Sequence, residues 1–146
     1  MKVGITSDHR GYTLKENIKE RLKDDYQFID YGTDSKESVD YPDFAFKIGN
    51  AVVCNEVDYG IAICGSGIGI SIACNKVKGI RCAKVSTEEE AKITRIDNDA
   101  NIVAFSSKIS LDLAINIVKT FLNTKFSNEL RHVTRIDKII NYESNN

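Results

Sequence analysis

Six consecutive residues, Tyr59 to Cys64 (YGIAIC), are almost wholly apolar, and the next five (GSGIG) are too rich in glycine to extend them. The run has the length of a strand and falls short of a buried helix. It shows no in–out alternation, as expected of a strand covered on both faces of a parallel sheet. Such a strand needs parallel neighbours, and parallel neighbours need long crossovers, usually helices.

The rest of the chain supplies both. Lys2 to Ser7 (KVGITS), Gln27 to Tyr31 (QFIDY), Ile80 to Val85 (IRCAKV) and Ile102 to Phe105 (IVAF) read as further strands. Between them, Tyr12–Leu22 spaces Leu14, Ile18 and Leu22 along one helical face. Phe44–Val53 reads as a second helix, and a short third one runs through ISIACNK. Thr87 and Glu90 are spaced as a capping box for a helix reaching about Arg95. Leu111–Leu122 is strongly amphipathic, and Glu129–Tyr142 carries an apolar stripe of Val133, Ile136, Ile139 and Ile140. The expected fold class is α/β: a single three-layer Rossmann-like domain over residues 1–146, with helices on both faces and a C-terminal helical tail. The parallel sheet has about five strands.

Charge and cysteine usage exclude several classes of function. A net charge of −1 provides no field for nucleic acid or an anionic membrane, so any phosphate must meet a local basic cluster. The opening MKVGITSDHRG is no signal peptide, and no stretch approaches the ~20 apolar residues of a membrane span. A cytoplasmic location is the expectation. Cys54, Cys64, Cys74 and Cys82 form no CxxC pair, and only His9 and His132 could join them, so no metal site is expected. Disulfides are not expected either. Cys54, Cys74 and Cys82 read as small buried hydrophobes.

In an open α/β sheet, ligands gather at the carboxyl ends of the strands. Asp8-His9-Arg10-Gly11, Asp40-Tyr41-Pro42 and Cys64-Gly65-Ser66-Gly67-Ile68-Gly69 all fall there. The glycines of the third group let backbone amides turn inward, and a helix starting just after adds its positive end. Such a nest suits an oxyanion and a thiolate at its mouth. Cys64 could then take a proton from a carbon beside a carbonyl while the amides hold the enediolate. The spacing does not match G-x-G-x-x-G, and no Gly-Lys-Ser/Thr follows, which argues against a nucleotide loop. A tight turn without a ligand is the bland alternative. Arg131 and Arg135, four apart on the tail helix, suit either a solvated face or a phosphate clamp.

The strings SDHRGY, ESVDYPDF, ICGSGIGISIACNK, GIR, NDANIVAF and RHVTR run in order from residue 7 to residue 135. As a set they resemble the ribose-5-phosphate isomerase B family and its galactose-6-phosphate isomerase relatives. The resemblance implies reversible aldose–ketose isomerisation through a cis-enediolate, without metal or organic cofactor. It also implies a homodimer, possibly a tetramer, with each active site built from two subunits. Cys64 is then the base, the Gly65–Gly69 backbone the anion hole, and Ser66 a hydroxyl serving the sugar. Asp8 and Tyr41 bind the sugar or help to open its ring. His9 meets the phosphate with Arg131 and Arg135, and Asn98 approaches the sugar from the partner subunit.

The chain departs from the family pattern in three places. Asp97 stands where a histidine is the expected acid/base for ring opening; its carboxylate can accept a proton but is a poor donor when ionised, which leaves work for Asp8 or water. Lys108 replaces an arginine and loses its bidentate fork. NELRH replaces GGRH before the tail helix. Isomerisation of a six-carbon sugar phosphate, with the 33–39 loop and Asp97 setting pocket size, and sugar-phosphate binding without catalysis are the alternatives.

Overall fold

Side chains along the central strand alternate between two separate cores. Ile61 and Ile63 face one, and Ala62 and Cys64 face the other. The strand is β3 (Tyr59–Cys64), lying between β1 (Lys2–Ser7) and β5 (Ile102–Ser106). The structure, a computed structural model, describes all 146 residues. β2 (Gln27–Asp30) borders β1 and β4 (Cys82–Lys84) borders β5, giving a five-stranded sheet of order β2-β1-β3-β5-β4 in which every pair is parallel.

Helices cover both faces. α1 (Tyr12–Leu22), α4 (Glu88–Asn98) and α5 (Leu111–Asn123) bury Leu14, Ala91 and Phe121 against Val3, Ile5, Ile63 and Phe105. On the other face, α2 (Tyr41–Val53) and α3 (Ile68–Cys74) pack Ile48 and Ile70 over Ala62 and Ala104. Small strand residues let that second layer sit close: a Cβ on Gly60 would meet Ile48 at 3.0 Å. α6 (Leu130–Ser144) buries only His132 and Ile136, while Ile139 and Ile140 of its stripe stay exposed.

Element boundaries differ from the sequence reading in physically simple ways. α2 starts at Tyr41 because Pro42 suits a first helical turn, where its missing N–H costs nothing. α3 begins inside the glycine turn, at Ile68. β4 shrinks to three residues because it pairs on one side only. The Thr87 cap forms, its Oγ1 accepting from Glu90 N at 3.1 Å, but Glu90 reaches back to Ser86 N rather than to Thr87 N. Of the cysteines read as buried hydrophobes, Cys74 is, Cys82 is half-buried and Cys54 is exposed. Cys54 follows the last turn of α2, where the helix has already left the sheet.

The chain leaves β1 for β2 on one side and later enters β3 on the other, so the carboxyl ends of β1 and β3 flank the topological switch point. The loop after β2 is pinned there: Gly32 lies so close that a Cβ would be 2.5 Å from Ser7 N, and Thr33 N donates to Ser7 O at 3.1 Å. An ionic cluster anchors the same corner. Lys15, 1% exposed, donates to Asp30 Oδ2 at 2.5 Å and to Glu16, and Lys19 joins both acids. Burial alone would raise the Asp30 carboxyl, but donors from Lys15, Lys19 and the Gly32 amide hold it below its ordinary value. A carboxyl held low in the folded state stabilises above its unfolded pKa and loses that contribution as pH falls. Thermal stability is therefore expected to fall from pH ~4 downward. In melts across pH 3 to 7, Asp30→Asn should lower stability at neutral pH by about 1–3 kcal/mol and flatten the acid limb.

Candidate active site

The turn after β3 is set by one residue that must be glycine. Gly67 has φ +77°, and a Cβ on it would lie 2.6 Å from the Phe105 carbonyl carbon. This left-handed residue folds the chain back, so that Gly67 N donates to Cys64 Sγ at 3.2 Å. That contact strengthens as the sulfur gains negative charge. Cys64 is 4% exposed, yet it lines the cleft beside the turn. Ser66 Oγ accepts from Ile68 N at 3.1 Å, so the Gly67 and Ile68 amides are already engaged within the turn. β5 holds the turn from the other side: Ser106 Oγ donates to Gly65 O at 2.7 Å and Ser107 N to Cys64 O at 2.9 Å.

The loop after β1 supplies the facing wall. Asp8 N donates to Ile63 O at 3.2 Å, which ties the loop to β3. Asp8 Oδ1 accepts from the amides of Arg10 and Gly11, at 3.0 and 3.1 Å, so the carboxyl is fixed at the strand end. His9 Nδ1 accepts from Val39 N at 3.2 Å, joining this loop to the 33–40 segment and leaving Nε2 as the donor of the neutral ring. Tyr41, first in α2, lays its ring over Gly69, where a Cβ would be 2.7 Å from Tyr41 Cζ. A cleft of about 710 Å³ opens between these groups, with Lys108 at its rim.

Asp8, His9, Tyr41, Cys64, Gly65, Ser66, Gly69 and Lys108 thus come together around one space. Gly67 is buried, the Ile68 side chain is exposed, and neither lines the cleft, although both were expected to. Four expected residues lie apart. α4 runs back against the strand direction, so Asp97 and Asn98 in its last turn sit at the amino-terminal edge of the sheet. There the Asn98 carbonyl accepts from Arg81 Nε at 3.0 Å, and Asp97 Oδ1 lies 3.3 Å from His132 Nε2, in ion-pair range but not aligned as a hydrogen bond. Arg131 pairs with Glu129, and Arg135 is exposed on α6. Sequence reasoning placed Arg10 with His9 at the ligand edge but gave it no role, and it passed over Ser106, whose clasp on Gly65 depends on the register of β5 with β3.

A model of the ribose/galactose isomerase family matches residues 3–139. The chain is 51% identical to a putative sugar phosphate isomerase of Bacillus subtilis, covering 100% of this chain and 99% of that one. A ribose-5-phosphate isomerase B of Clostridium thermocellum superposes with a TM-score of 0.95 at 50% identity, over 99% of both chains. A ribose-5-phosphate isomerase B of Mycoplasma genitalium with bound ribulose 5-phosphate gives 0.93 at 42% identity, over 99% of this chain and 97% of that one. With a family model spanning nearly its whole length and relatives this similar throughout, the chain belongs to the ribose/galactose isomerase family.

Proposed function

We propose that this protein interconverts ribose 5-phosphate and ribulose 5-phosphate through a cis-enediolate, with Cys64 as the base. The observation that carries the reading is the Cys64 sulfur, held by the Gly67 amide at the floor of a cleft that also presents Asp8, His9, Tyr41 and Lys108. The bound ribulose 5-phosphate of the Mycoplasma relative supports the choice of a five-carbon substrate.

Asp8 and Tyr41, at opposite walls, engage the sugar hydroxyls as the ring opens. A Cys64 thiolate takes the proton from C2 of the open-chain aldose, and the electrons of that C–H bond move into the C1–C2 enediolate. The Gly65–Gly69 turn forms the anion hole through the amides that Cys64 and Ser66 leave free, those of Gly65, Ser66 and Gly69, which serve the oxygens on which charge develops. The Cys64 thiol then returns the proton to C1, giving the ketose. A proton must also pass between the two sugar oxygens, and the exposed Ser66 hydroxyl stands beside them for that step. His9 Nε2 and Lys108 serve the phosphate. All the bonds are made and broken by protein groups and sugar alone, so the reading needs no cofactor.

The active unit is a cytoplasmic homodimer of one-domain subunits. Asp97, Asn98, Arg131 and Arg135 lie at the sheet edge opposite their own cleft, so only a second subunit can present them to it. The exposed Ile139, Ile140 and Tyr142 on α6 supply apolar surface for that partner. No helix is long and apolar enough to cross a membrane.

Purified protein in chelator should convert ribose 5-phosphate to ribulose 5-phosphate, and Cys64→Ala should lower kcat by at least ~1,000-fold with its melting temperature little changed. Near-normal turnover by that variant would remove Cys64 as the base; turnover of six-carbon aldose 6-phosphates alone would move the substrate, and binding without turnover would leave a sugar-phosphate binding protein. Subunit sharing is checked by mixing and refolding Cys64→Ala with the Arg131→Ala/Arg135→Ala double variant. Random pairing restores one intact site in each mixed dimer, about a quarter of wild-type activity. A mixture as inactive as its components would place each site within one subunit.

A further inference from the structure

The Cys64 turn carries a cation to which the family resemblance gives no role. Arg10 extends from the loop after β1 across Gly65, where a Cβ would meet Arg10 Cδ at 2.9 Å and Nη1 at 3.2 Å. Gly65 does not have a positive φ, so its backbone conformation is open to other residues; what excludes a side chain there is Arg10. The base of Arg10 is fixed by its amide bond to Asp8 Oδ1. Its side chain is exposed in the cleft and joins none of the chain's ion pairs, although Asp8, Asp40 and Asp43 line the same space. The arginine is thus held against the reactive turn with its charge unspent.

We infer that Arg10 is a further substrate-contacting residue, its guanidinium stabilising the enediolate that forms over the Gly65–Gly69 turn. This rests on the isomerase reading above. Gly65 directly follows Cys64, so the guanidinium stands at the end of the cleft where the proton leaves carbon. The phosphate of ribose 5-phosphate is carried on C5, at the far end of the sugar from the reacting C1–C2 bond, and the cleft has Lys108 as a second cation and the Nε2–H of His9 as a neutral donor to receive it. Negative charge reaches the sugar oxygens only as the reaction proceeds. A cation already in place there favours the transition state over the bound sugar, so its effect falls on kcat. Gly65 keeps the place open, which gives that glycine a reason the turn alone does not.

The test compares wild type with Arg10→Gln and Arg10→Lys on ribose 5-phosphate. Arg10→Gln should lower kcat roughly ten- to a hundredfold, less than a buried oxyanion donor would because the group is exposed, with KM within about twofold. Arg10→Lys should fall between, keeping the charge without the fork. Affinity for 4-phosphoerythronohydroxamate, whose planar hydroxamate resembles the enediolate, should weaken in step with kcat, while melting temperatures stay unchanged. A kcat for Arg10→Gln within twofold of wild type would overturn the inference and leave the isomerase standing. So would a raised KM at constant kcat, the signature of a phosphate contact. Wild-type protein silent on ribose 5-phosphate would overturn the isomerase reading and this inference together.

Discussion

Gly67 lies against the backbone of Phe105, in a left-handed conformation and without room for a Cβ. Through that contact the end of β5 supports the turn after β3, and the Gly67 amide comes within 3.2 Å of the Cys64 sulfur. Ser106 and Ser107 complete the support by holding the carbonyls of Gly65 and Cys64. The thiol is therefore positioned by two adjacent strands of one sheet, a more rigid mounting than a free loop provides. Tyr41 and Arg10 close on Gly69 and Gly65 in turn, so three glycines accept one backbone segment and two side chains.

The same economy explains the division of the two faces. Large side chains, Phe105, Phe121 and Ile63, fill the core under α1, α4 and α5. The other face carries Gly60, Ala62, Cys64 and Ala104, which bring α2 and α3 close to the sheet. That close approach places Tyr41 and the first turn of α3 at the rim of the cleft. Cys64 belongs to this thinner face because of its register along β3, two residues on from Ala62.

How much could be read beforehand differed from element to element. The strands and α1, α4 and α5 were legible because their apolar spacing is local and strong, and the Thr87 cap is a short-range signal. The start of α2 was not, since an apolar stripe beginning at Phe44 hides a first turn led by Tyr41 and Pro42. Cys54 looked like its buried relatives because cysteine burial follows from position in three dimensions. The strings around Asp8, Tyr41 and Cys64 pointed to a shared site, and the cleft gathers them. Arg10 and Ser106 could not be singled out, because each acts through a residue distant in the chain, Gly65 in both cases.

By itself, the sequence determined the α/β class, the parallel strands and the glycine turn after β3, for these depend on local periodicity and on glycines next to an apolar run. The order β2-β1-β3-β5-β4 was decided only by tertiary structure, since strand pairing is a long-range choice that local patterns do not encode. Tertiary structure also separated Asp97, Asn98, Arg131 and Arg135 from the Cys64 cleft. The direction of α4, antiparallel to the strands, carries its last turn to the opposite edge of the sheet, and no spacing along the chain reveals that distance.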